Sequence, residues 1–341
     1  MRRDNLYSML CSVLILLLVV ASSNGAPETE NATQASTRTS GNAAGLASWY
    51  WFYDDPPIHD RAHLATAIDA ARKSKSADGL FFLSELTSSR GVPALKDDQL
   101  SKTLLEEADA LGHNAARATL GLKLLFAQAP FDEANGLERG AALLKRAAET
   151  RDPVALLYAG VARINDLHGF PRNLDAARSA FEESLLLGNL RAHYFLALVL
   201  NEQGEQAAAR RHLEIGARAG DPQAKNGLAL VLWKAGAKES SSRALELARD
   251  ATQYGTPQFQ YDYATMLVEK ARGAGERVPD EVDELLERAA DAGSLDALYL
   301  RGALHANRML QHSDPELGRQ LIHQAAAAGH PSAREGVRAT D

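Results

Sequence analysis

The sequence predicts an all-α fold, a right-handed superhelical solenoid of antiparallel helix hairpins in about seven to eight repeats. Three observations carry it. Turn residues Gly112, Arg151, Gly188, Gly220, Gly255, Gly293 and Gly329 recur at steps of 32 to 39 residues, the period range of helical-hairpin arrays. Four residues before each turn stands a small side chain (Ala108, Ala147, Ser184, Gly216, Ala251, Ala289, Ala325). Seven before it comes a mostly large apolar one (Leu105, Leu144, Phe181, Leu213, Ala248, Leu286, Ile322). After the turn, offsets four and nine are again small: Ala116, Ala155, Ala192, Ala224 and Ala297 at four, Gly121, Gly160, Ala197, Ala229, Ala264 and Gly302 at nine.

Offsets of three, four and seven share one helical face. Small residues at a crossing let two helices approach closely, while one large apolar residue fills the space between them. A glycine at the turn suits the left-handed position that closes a helix. Asp152-Pro153 and Asp221-Pro222 then place proline at the first helical position, where its missing N–H costs nothing. One hairpin cannot bury its apolar face alone, so the copies stack. A weaker eighth copy is expected around Lys75, with Ile68 and Ala71 in register.

In chain order, residues 1–25 read as a signal peptide. Arg2 and Arg3 precede an apolar run from Met9 to Val20 and a small-residue stretch from Ala21 to Ala26, with cleavage expected near Ser23 to Gly25. The run is too short for a membrane-spanning helix. Cys11, the only cysteine, lies inside this segment, so a mature chain forms no internal disulfide. The compartment expected is periplasmic or secreted, and the lack of disulfides leans toward a bacterial periplasm. Asn31-Ala-Thr33 matches a glycosylation sequon, a pattern common by chance. Residues 26–48 are a flexible linker rich in Ala, Ser, Thr, Asn and Gly. Residues 49–60 open with Trp49-Tyr-Trp-Phe-Tyr53, read either as a plug over the first hairpin or as an anchor for a partner or membrane surface. Residues 61–339 are the repeat array.

Within the repeats, Gly169-Phe-Pro-Arg-Asn-Leu-Asp-Ala-Ala177 joins two helices, with looser versions at Gly91–Asp97 and Gly275–Asp280. These connections resemble the inter-helix signature of the SEL-like repeat proteins, relatives of the tetratricopeptide repeats. The resemblance covers residues 61 to 339, with departures at Arg151, Phe259 and Arg338. It implies a non-catalytic adaptor that binds another protein, often in the cell envelope. It also implies two more specific readings: an envelope-assembly scaffold, or an immunity protein that neutralises a delivered antibacterial toxin such as a secreted phospholipase.

Charge and motifs exclude other classes. The chain has a formal charge of −7, and loss of the signal peptide leaves it more acidic. No basic stripe with interleaved aromatics appears, so nucleic acid is not an expected partner. No phosphate-binding glycine loop, paired-cysteine motif or serine elbow is present, and no cofactor, catalytic residue or metal ligand is assigned. His59 and His63, one helical turn apart, are the only start of a zinc site and underlie a second alternative, a metal-assisted hydrolase. His305, His312, His323 and His330 crowd the last repeat; two of them fall near helix ends, where cations are favourable.

The remaining candidate is a protein-binding groove. The first helix of each hairpin lines the concave side of such an array. Six residues past each turn stand Ala118, Leu157, Tyr194, Asn226, Tyr261 and Tyr299; thirteen and fourteen past it come Trp233 and Glu269. Tyr194, Asn226, Trp233, Tyr261, Glu269 and Tyr299 are therefore the expected partner-binding residues, since aromatics with a polar tip dominate binding hot spots. The competing reading packs the tyrosines between repeats with their hydroxyls at the rim.

Overall fold

The computed structural model describes residues 58 to 338 apart from 59, 89–92, 237 and 255. The segments read as signal peptide and linker, the aromatic cluster and His59 lie outside the described residues. The chain divides into two compact units, one ending at Ala224 and one beginning at Lys225.

In the first unit the helices are α1 (Arg61–Ser74), α2 (Ala77–Thr87), α3 (Asp98–Ala110), α4 (Asn114–Phe126), α5 (Gly136–Glu149), α6 (Pro153–Ile164), α7 (Leu174–Leu186), α8 (Ala192–Glu202) and α9 (Gln206–Arg218). Helix α10 (Pro222–Ala235) contains the division point. The second unit continues with α11 (Lys238–Thr252), α12 (Pro257–Ala274), α13 (Glu281–Asp291), α14 (Leu295–Ala306), α15 (Pro315–Ala328) and α16 (Pro331–Arg338). Among the described residues the only β-pairing is an isolated bridge between Val278 and Leu310. The hairpins are α2–α3, α4–α5, α6–α7 and α8–α9 in the first unit, and α12–α13 and α14–α15 in the second.

The repeated small residues are the crossing points of these hairpins. A Cβ on Gly140 of α5 would lie 2.7 Å from the carbonyl oxygen of Gly121 on α4, so backbone meets backbone there. In α6–α7 the counterpart of Gly121, Gly160, receives the ring of Phe181; a Cβ would sit 2.4 Å from its Cε1. In α14–α15 a Cβ on Gly318 would come within 2.3 Å of the Ala306 nitrogen. The large residue seven before the turn is fully buried at Leu105, Leu144, Phe181 and Leu286. Burying such a side chain contributes about 1.5–3 kcal/mol. Where the residue four before the turn is polar, its hydroxyl is used: Ser184 Oγ donates to the Pro153 carbonyl at 2.6 Å.

Each described turn residue adopts the left-handed conformation. Gly112, Gly188, Gly220, Gly293 and Gly329 have φ of 89°, 89°, 90°, 96° and 107°. Arg151 holds φ 57° without glycine's freedom, and Lys75 holds φ 52°, which places the eighth copy as expected. The following residue caps the next helix: Ser76, Asp152, Asp221 and Ser294 each accept a backbone N–H of the first turn. Phe259, an exception among alanines four past the turn, is buried.

Candidate functional site

The six expected binding residues fall on first helices, but their register differs from a simple open face. The position six past the turn packs between neighbouring repeats. Ala118 and Leu157 are fully buried there. Asn226 on α10 is 6% exposed and donates its Nδ2–H to Asp262 Oδ2 of α12 at 2.7 Å. Tyr299 on α14 stacks on His330 at the start of α16, with ring centroids 4.4 Å apart. Tyr194 on α8 is half-buried and meets Phe195 edge-on at 5.2 Å. Tyr261 on α12 is also half-buried; burial, with Asp296 adding to it, raises its phenol above the ordinary range. Asn226 and Tyr299 thus pack between repeats. Asn226 is therefore not an open groove residue, because a side chain at this register meets the next first helix.

The residues thirteen and fourteen past the turn reach further out. Trp233 of α10 is half-buried and donates Nε1–H to Glu269 Oε2 of α12 at 2.5 Å, while Glu269 itself is exposed. Lys234, next to Trp233, is exposed, and burial of its stem pulls its ammonium below the usual range against the attraction of Asp262 and Glu269. Trp233, Lys234 and Glu269 therefore form one aromatic and charged group on the second unit.

Asp262 was not among the expected residues. It is 7% exposed and accepts from Asn226 and, at Oδ1, from Gln258 Nε2 at 2.8 Å. Burial pushes its carboxyl up to about 6 despite these two donors. A signal was present in the sequence: seven past the other turns stand Thr119, Tyr158, Phe195, Gly227, Leu300 and Gly336, so only this copy carries a charge.

His63, His312 and His330 make local contacts with aspartates. His63 Nδ1 lies 2.6 Å from Asp60 Oδ2, the residue that caps α1. Among the described residues no three of His, Cys, Asp or Glu converge in a way that could hold a metal. In the last repeat, His312 pairs with Asp280. His330 sits at the N-terminal end of α16, where a cation is unfavourable, so the expected favourable interaction with a helix end does not apply to it.

No family model matches this chain, and no curated protein matches it. Solved structures do. A Sel1 repeat protein from Oxalobacter formigenes superposes with a TM-score of 0.50 at 19% identity, covering 96% of this chain and 99% of that one. The chain has the Sel1-like repeat fold. A protective antigen of uropathogenic Escherichia coli strains with an SLR fold gives 0.46 at 17% identity, over 88% of this chain and 64% of its own. Yeast Tom70 gives 0.47 at 13% identity, over 94% and 75%. At these identities the likeness concerns the fold alone, which does not fix a function. No described helix is long and apolar enough to cross a membrane.

Proposed function

We propose that this chain is a non-catalytic repeat protein that binds another protein through the face carried by its first helices, with Trp233 as anchor and Glu269 and Lys234 as its charged rim. The observation that supports this is the Trp233–Glu269 hydrogen bond, which fixes an indole beside an exposed carboxylate. A ring held in one orientation loses little entropy on binding, and tryptophan is among the residues most enriched at binding hot spots. Tyr194, Tyr261 and Tyr299 stiffen the same helices and present partial ring edges; Asn226 sets the spacing between α10 and α12.

The basic start and apolar run of residues 2–20 support a secretory route, hence action in the periplasm or outside the cell. The test is capture with the mature full-length chain from an envelope fraction, run in parallel with Trp233→Ala and Glu269→Lys. A partner retained by the native chain and lost from both variants, with helical circular dichroism unchanged, supports the reading. Equal recovery by all three sinks it.

A further inference from the structure

Three histidines share one atomic arrangement. His113 Nδ1 accepts the Ala116 N–H at 3.0 Å, and its Nε2 lies 3.2 Å from Asp78 Oδ1. His330 Nδ1 accepts the Ala333 N–H at 3.2 Å, with Nε2 3.1 Å from Asp296 Oδ1. His305 Nδ1 accepts the Asp314 N–H at 3.0 Å, with Nε2 2.9 Å from Asp283 Oδ1. In each case the backbone N–H belongs to the start of a helix: α4, α16 and α15. The first two are also equivalent in the repeat. Each histidine follows its turn glycine and lies against an aromatic six past the preceding turn, tilted on Phe81 at 4.5 Å and stacked on Tyr299 at 4.4 Å. Each aspartate stands three past that preceding turn.

We propose that His113, His305 and His330 are proton-sensitive latches that hold the starts of α4, α15 and α16 only while their imidazoles are neutral. A backbone N–H can donate only to a nitrogen that carries no proton. The geometry therefore fixes the tautomer, with Nδ1 bare and Nε2–H donating to the aspartate. Adding a proton sets two N–H groups against each other, and at His113 and His330 it also puts a positive charge at a helix N-terminus, where the helix dipole opposes it.

The charged groups around His113 and His330 do not cancel this. Asp78 has a 95% exposed side chain and screens poorly, and Asp152 acts on His113 only at longer range. Burial is the largest influence on His113 and lowers its basicity. Beside His305, Arg301 holds Asp283 at 2.8 and 3.1 Å and also Glu287 at 2.9 Å, and Asp280 is engaged by His312. Asp296 is partly exposed, and Arg334 adds positive charge one turn beyond His330. Acidification thus loosens the start of α4 in the first unit and the α15–α16 pair in the second.

Hydrogen exchange of the full chain at about pH 7.5 and about pH 5, corrected for intrinsic rates, tests this. Peptides over α4 and α15–α16 are expected to lose about tenfold protection relative to α6 and α7. In His113→Asn/His330→Asn, where asparagine caps without titrating, α4 and α16 keep their protection while α15, still held by His305, responds. No relative loss in the native chain, or the same loss at α4 and α16 in the variant, overturns the proposal. A nitrogen chemical-shift measurement at neutral pH gives an independent reading. Bare Nδ1 on all three rings supports the latches, and a protonated Nδ1 at His113 or His330 overturns them.

Discussion

Trp233 donates its indole N–H to Glu269 at 2.5 Å across a separation of 36 residues, the same step that joins Asn226 to Asp262. A step of 36 residues thus links α10 and α12 twice, once in a buried pair and once at an exposed rim. The buried pair fixes how the helices stack, and the exposed one leaves a half-buried indole beside a carboxylate. This division separates residues that build the array from residues able to contact a partner.

Trp233→Phe keeps the aromatic body and removes the donor, whereas Trp233→Ala removes both. Glu269 is exposed, so losing its partner leaves no buried charge, and thermal stability is expected to fall by less than about 1 kcal/mol with Phe. Affinity for a captured partner, measured by calorimetry, is expected to fall modestly with Phe and by at least about tenfold with Ala. An alanine variant that binds as tightly as the native chain removes Trp233 from the interface.

Gly318→Ala is expected to be strongly destabilising. The added methyl would lie 2.3 Å from the Ala306 nitrogen and 2.8 Å from the Gly302 carbonyl oxygen, so two backbones must separate. Overpacking of this kind costs about 1–3 kcal/mol. Gly336→Ala, which meets nothing within 4 Å and carries no positive φ, is the control. Denaturant unfolding of both variants checks the difference.

Arg151 occupies a turn position that five other described copies give to glycine, at φ 57°. Arg151→Gly removes the strain of a left-handed side chain, worth about 1 kcal/mol or a little more. It also loses the ion pair to Glu183 at 2.5 Å, which is largely exposed on the arginine side and worth about 0–1 kcal/mol. The expected net effect is a small gain in melting temperature. A marked loss would show that the Arg151–Glu183 pair outweighs the backbone strain.

The scaffold was legible in the sequence because packing repeats with the chain. Gly140 against Gly121 and Gly318 against Gly302 obey one spacing rule, and a spacing rule can be read without coordinates. The site was less legible. A helix rotates about 100° per residue, so one residue of register separates the wedge position of Asn226 from the buried charge of Asp262. Pairs such as Trp233–Glu269 join different repeats, and no local pattern announces them. The histidine latches depend on which nitrogen faces an N–H, a detail that residue types alone do not carry.

Asp262 gives the clearest prediction in pH. Its carboxyl is pushed up to about 6, above the ordinary value of 3.8, chiefly by burial. A carboxyl raised in the folded state binds its proton more tightly there than in the unfolded chain. Its contribution to stability is therefore fully present below about pH 4 and is lost as pH rises through about 6. At neutral pH the buried charge costs on the order of 2–3 kcal/mol, taking ~1.4 kcal/mol per unit. Asp262→Asn removes that cost. Asn226 Oδ1 has no partner, so rotation of the Asn226 amide lets it accept from the new Nδ2–H. The variant is expected to be more stable than the native chain at pH 7 and to show no gain below pH 4. His193, facing His212 with Nδ1 atoms 2.9 Å apart, acts in the opposite sense. Burial lowers it to about 4, so its stability term is present above the unfolded value of 6.5 and declines as pH falls toward 4. Unfolding curves of Asp262→Asn and His193→Asn across this range separate the two, since the first flattens the loss on raising pH and the second the loss on lowering it. An Asp262→Asn variant with the same pH dependence as the native chain would show that this carboxylate is not held buried and uncompensated.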